Sequence, residues 1–177
     1  MQHRSIKTSV FALSAFVLFS CKPKLEAPAV DAGKLDVSQY VAFGNSITSG
    51  YADGALYYEG QMASYANLLA GQFELIGGGE FKQPLMPMSS VGYGAAGNSR
   101  YALGFVKDCN NVTSLSPKTG AGDVNALAGV AADGPFNNMG MPGAKAITSI
   151  YPGYGNPANG LGRYNPFFTR ILEVSEY

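Results

Sequence analysis

Apolar residues in this chain fall into short runs broken by glycine, asparagine and proline. The first run, "TSVFALSAFVLFS", is apolar or small throughout and spans 13 residues. That is short for a membrane-spanning helix, which needs about 20. It follows the basic start "MQHRSIK" and ends at Cys21. A basic start, a short apolar stretch and small residues before a cut describe a secretory signal over 1–20. Residues 22–36, "KPKLEAPAVDAGKLD", mix proline, alanine and charge without a period, so 21–36 is expected to be a tether.

The folded pattern begins near residue 37. Val37 to Gly44 is expected to be a buried strand that stops at the turn Gly44-Asn45-Ser46. Over 59–73, Met62, Tyr65, Ala66 and Leu69 follow the i, i+3, i+4, i+7 spacing, which predicts a helix with those residues inward. Gly71 falls near its expected C-terminal end. From Gly77 to about Asp133 chain breakers dominate, so a long insertion is expected, with "RYALGFV" as a short strand inside it. A second strand is expected around Phe136 to Met139, then a helix from about Ala144. "PFFTRILEVSEY", residues 166–177, puts Phe167, Ile171 and Val174 on one helical face, with Pro166 in the first turn. Strand, turn and helix, repeated, predict an α/β domain with a parallel sheet.

Composition narrows the classes. Lys plus Arg and Asp plus Glu number 12 each, so the whole chain is neutral. Without Arg4 and Lys7 of the signal there are 10 positive residues against 12 negative, a net of −2. No basic face marks a nucleic-acid partner. Gly92-Tyr93-Gly94-Ala95-Ala96-Gly97 fits G-x-G-x-x-G, but it lacks the flanking strand and helix that a dinucleotide fingerprint requires, so no cofactor is expected. No metal is expected either. The two cysteines are Cys21 and Cys109. With Cys21 modified, Cys109 has no intrachain partner and is expected to be a small buried residue.

Chemistry concentrates at two turns. A nucleophilic serine needs a fixed, exposed hydroxyl, a base beside it and donors aimed at the oxyanion. Ser46, just past the first strand, is placed where open parallel sheets collect ligands. Gly44 permits a sharp turn there. The Ser46 amide is a candidate oxyanion donor. The alternative is that Ser46 or Thr48 merely caps a helix. The second turn, Asn138-Met139-Gly140-Met141-Pro142-Gly143, follows the second strand and offers a glycine amide at the start of a helix.

"AFGNSITSGYADG" resembles the first block of the SGNH, or GDSL, serine hydrolases, and "NMGMPG" resembles the second. Across roughly Gln39 to Ala146 the chain is most similar to lipid-anchored esterase-like members from Bacteroidetes-type bacteria. The resemblance implies a three-layer α/β/α, flavodoxin-like fold with a parallel sheet. It implies hydrolysis of carboxylic esters on acylated lipids, sugars or small acyl compounds. Ser46 would be nucleophile and oxyanion amide, Gly143 a second oxyanion amide, and Gly44, Asn45, Asn138 and Gly140 structural neighbours. "VLFSC" resembles the lipobox of bacterial lipoproteins, which implies cleavage before Cys21, lipid on its thiol and amine, and a membrane anchor. Lys22 after that cysteine favours the outer membrane by the same resemblance.

Two departures stand out. Asn45 replaces the family's Asp. The family's G-x-N-D block and its D-x-x-H block, which brings the base, have no counterpart. The chain's one histidine is His3, within the signal. Lys145 near the second turn is the other basic group considered, and desolvation would have to lower its pKa before it served. The expectation is therefore an N-terminal portion of a hydrolase domain, incomplete at its C-terminus, with little esterase activity alone. The alternatives are a non-catalytic envelope lipoprotein that binds glycan or lipid through Tyr51, Tyr57, Tyr58 and Tyr93, or an inactive gene fragment.

Overall fold

A computed structural model of the chain describes residues 29–151, 153–160 and 163–172, the side chain of Ser149 excepted. The expected signal, Cys21 and the first part of the tether lie outside the described residues. By its contacts the chain divides into Met1–Val30 and Asp31–Tyr177, and the fold described below belongs to the second unit. Residues 31–36 run without strand or helix and are mostly exposed, with a turn in which Asp31 accepts from the Gly33 amide at 2.7 Å.

The architecture is mixed α/β with a small parallel sheet and short helices. Strand β1 is Ala42–Gly44, shorter than the 37–44 expected. The one-turn helix α1, Ser46–Ser49, follows at once. Helices α2, Tyr58–Met62, and α3, Tyr65–Glu74, come next. An antiparallel hairpin of β2, Ala102–Lys107, and β3, Thr113–Lys118, stands within the segment 77–133. Strand β4, Asn138–Gly140, pairs in parallel with β1, in the register Ala42↔Asn138, Phe43↔Met139, Gly44↔Gly140. Helix α4 is Pro166–Thr169. Single 3₁₀ turns cover Val124–Leu127, Ala131–Asp133, Ala146–Ile150 and Pro157–Asn159.

The helix expected over 59–73 is in fact two. Ala63 closes α2 and Ser64 starts α3, its hydroxyl accepting from the Asn67 amide at 3.2 Å. That break resets the helical phase. Ala66 and Ala70 are therefore the buried positions of α3, while Met62, Tyr65 and Leu69 are exposed, against the inward stripe read from spacing. Gly71 lies inside α3. After Glu74 the chain turns away at Gly77 instead, with φ +89°, and the Gly78 amide reaches back to the Phe73 carbonyl at 2.8 Å. A left-handed residue followed by a six-to-one bond is the Schellman ending.

The core lies around Leu56, Met86, Ala126, Met141 and Phe167. Tyr51 and Tyr93 present ring edges to Phe167, at centroid distances of 6.4 and 6.1 Å. Two buried polar side chains tie this core to the segment 83–86. Gln61 donates to the Pro84 carbonyl at 3.0 Å and accepts from the Met86 amide at 2.6 Å. Arg170, 2% exposed, donates to the Pro84 and Leu85 carbonyls at 3.1 and 3.0 Å. Pro166 does occupy the first turn of α4, Asn165 caps it through the Phe167 amide at 2.9 Å, and Phe167 is buried. The helix expected over 166–177 ends at Thr169, with residues 170–172 in a turn and bend, and its part from 173 on lies outside the described residues.

The small sheet has a bare face. Val41 and Phe43 are 60% and 68% exposed, and Ile47 of α1 is exposed as well. Parallel sheets are normally covered on both faces. Cys109 is also exposed, at the hairpin tip, contrary to the buried position expected.

Candidate active site

The peptide that carries Ser46 is held from three sides. Asn45 is the N-cap of α1, its side chain accepting from the Ile47 amide at 3.3 Å. Neither Ser46 nor Thr48 plays that part, so the capping alternative is corrected. Ser46 is the first residue of the turn, half-buried. Its carbonyl accepts from the Ser49 hydroxyl and the Tyr51 amide, both at 2.9 Å. Thr48, buried, pairs its hydroxyl with that of Tyr65 at 3.0 Å, which fastens α1 to α3. The backbone of Ser46 is thus fixed, while its hydroxyl and its amide N–H have no hydrogen-bond partner among the described residues.

Helix α1 lies directly against β4. Asn138, 2% exposed, donates to the Thr48 carbonyl at 3.0 Å and to Gln83 at 2.9 Å, and accepts from the Gly140 amide at 3.0 Å. A Cβ at Gly140 would overlap the Ser49 amide nitrogen, and one at Gly44 would overlap the Thr48 hydroxyl. Glycine at both strand ends is therefore a condition of docking.

The second turn differs from its expected form. The Met141 amide donates to the Gly44 carbonyl at 3.0 Å, which extends the parallel pairing by one bond. Met141 to Ala144 then form a β-turn closed by Ala144 N–H to Met141 C=O at 3.1 Å, with Gly143 at φ +80°. Proline second and a left-handed glycine third make this a type II turn. The Gly143 amide thus belongs to a turn, and the helical residues begin later, at Ala146. What aims this amide is Asn165, 5% exposed, whose side chain donates to the Pro142 carbonyl at 2.7 Å. In a trans peptide the C=O and N–H point opposite ways, so holding the Pro142 carbonyl directs the Gly143 N–H the other way. That N–H has no partner among the described residues.

Ser46 and Gly143 therefore stand two and three residues beyond the same ends of two paired parallel strands. No family model, curated protein or solved structure matches this chain. The described residues include no histidine, and the one in the sequence, His3, lies outside them. Among the described residues, no cluster of three His, Cys, Asp or Glu side chains is disposed to hold a metal. No helix among them is long and apolar enough to cross a membrane. The Gly92–Gly97 stretch forms a turn bridged to Leu56 through Tyr93, with no helix after it.

Three of the tyrosines expected to meet a ligand are engaged inside the fold. Tyr51 donates to the Gly54 carbonyl at 2.6 Å and accepts from the Ala95 amide at 3.2 Å. Tyr57 is buried, bonded to Asp53 at 2.5 Å, with the Arg100 guanidinium 4.7 Å from its ring centroid. Burial and the Asp53 carboxylate push the Tyr57 phenol up to about 12. Tyr93 packs on Phe167, and Tyr58 is half-buried. Sequence reasoning passed over Gln61, Gln83, Asn165 and Arg170. Only Asn165 left a signal, an Asn before Pro-Phe-Phe that fits a helix N-cap.

Proposed function

We propose that this chain carries the nucleophile and oxyanion half of an SGNH-type serine ester hydrolase, within what would be a three-layer α/β/α domain. Ser46 would attack the ester carbonyl, and the amides of Ser46 and Gly143 would stabilise the charge that develops on its oxygen. The observation that carries this reading is the pairing of two unbonded amides, one beside a serine hydroxyl, at the ends of adjacent parallel strands. A general base is still required, and in this reading it comes from polypeptide other than the described residues. The substrate class is an acylated lipid, sugar or small acyl ester. In the same reading lipid on Cys21 anchors the protein in the envelope, at the outer membrane.

Covalent labelling tests the assignment. The full chain is treated with an alkyl fluorophosphonate in the presence of imidazole as an external base, and the adduct is mapped by peptide mass spectrometry. The reading expects the phosphonyl group on Ser46. Labelling spread over other serines and tyrosines, with Ser46 unmodified, removes Ser46 as the nucleophile.

A further inference from the structure

A cleft of about 450 Å³ opens beside the second turn, lined by Ile147, Thr148, Tyr151, Tyr154 and Arg163. That volume lies within the range of small-molecule sites, roughly 300–1,000 Å³. Its walls are of two kinds. Ile147 and Tyr151 give an exposed apolar and aromatic surface, 65% and 45% exposed. Arg163 is also exposed, and its guanidinium has neither an ion pair nor a hydrogen-bond partner among the described residues.

The cleft is mechanically tied to the Gly143 turn. The Tyr154 hydroxyl donates to the Gly143 carbonyl at 3.4 Å, and Asn165 donates to that hydroxyl at 3.3 Å while holding the Pro142 carbonyl. Tyr154 itself is steadied by an edge contact with Phe168, 5.6 Å between centroids. The residue that aims the Gly143 amide thus also positions a wall of the cleft.

We propose that this cleft binds a compound with an aromatic or apolar body ending in a carboxylate. The ring lies against Tyr151 and Tyr154, and the carboxylate meets Arg163 in a charge-assisted, two-pronged pair. The proposal rests on the Ser46 and Gly143 reading only in taking this group as the distal part of the ester substrate. A neutral acyl chain leaves Arg163 unanswered and binds more weakly.

The test is titration of the full chain with hydrocinnamate and with the neutral hydrocinnamyl alcohol, read by protein NMR, for wild type, Arg163→Gln and Tyr151→Ala. Both side chains are exposed, so the variants keep the fold, which circular dichroism checks. Saturable hydrocinnamate binding is expected, weakened about tenfold or more by Arg163→Gln, with the alcohol indifferent to that change. Tyr151→Ala is expected to weaken both ligands. Equal hydrocinnamate affinity in wild type and Arg163→Gln, or no saturable binding, overturns the proposal. No ester bond is involved, so the two readings fail separately. Binding without Ser46 chemistry keeps the cleft and retires the esterase reading. Ser46 chemistry without binding retires the cleft alone.

Discussion

Two residues set limits that a reader of the sequence does not see. Arg170 is a buried cation that, among the described residues, meets two neutral carbonyls and leaves its Nε without a partner. Burial lowers its pKa to about 10. A buried charge held by neutral groups costs stability, and an apolar replacement of similar length recovers much of it. Arg170→Met should therefore lose less than Arg170→Ala, which also leaves a cavity worth roughly 2–4 kcal/mol. Urea midpoints compare the two, and a larger loss in the methionine variant contradicts the account. Tyr57 gives the opposite case in pH. Its folded pKa is raised from 10.0 to about 12, so the neutral phenol stabilises the fold fully below pH 10. That contribution is lost as pH rises toward 12. In a tyrosinate absorbance titration Tyr57 should ionise late, and Tyr57→Phe should delete that late component.

At the scale of elements, the decisive unit is the contact of α1 with β4. Gly44→Ala and Gly140→Ala each force a methyl group into α1, and overpacking of this kind costs about 1–3 kcal/mol or more. Thermal melts of both variants should show it. Asn165→Ala should cost about 1 kcal/mol for the lost cap and free the Pro142 carbonyl. NMR of the Gly143 amide should then shift, and an unmoved resonance contradicts the role given to Asn165.

This unit was legible because glycine marks where backbone must come close, and the two Gly-containing turns announced the two strand ends. The parallel pairing expected between the first and later strands is present as β1 with β4. The helix over 59–73 was misjudged because periodicity ignores capping. Ser64 splits the segment, and two alanines rather than the large residues face inward. Strand β3 was missed because Pro117 and the following Lys-Thr-Gly read as breakers. Pro117 pairs with Leu103 in a two-stranded hairpin, where edges are open and proline is tolerated. Asn165 and Arg170 act across 23 and 85 or more residues of chain, a distance over which local pattern carries no information.

At the scale of the molecule, the described fold pairs a fixed pair of turns with a two-stranded sheet whose β1 face is open. Val41 and Phe43 are exposed where parallel strands are normally covered. Phe43→Ser should change the stability of this chain by less than about 0.5 kcal/mol, as surface substitutions do, and should lower its self-association in light scattering. A loss of several kcal/mol means that the face is covered in solution.

The central claim is that Ser46 is placed to attack while its base lies elsewhere. The most direct measurement is hydrolysis of p-nitrophenyl acetate by the full chain and by Ser46→Ala, each with and without imidazole. The account predicts equal rates for the two proteins without imidazole, and a Ser46-dependent excess once imidazole is added. A Ser46-dependent rate without added base contradicts the missing base. Equal rates in its presence contradict the nucleophile.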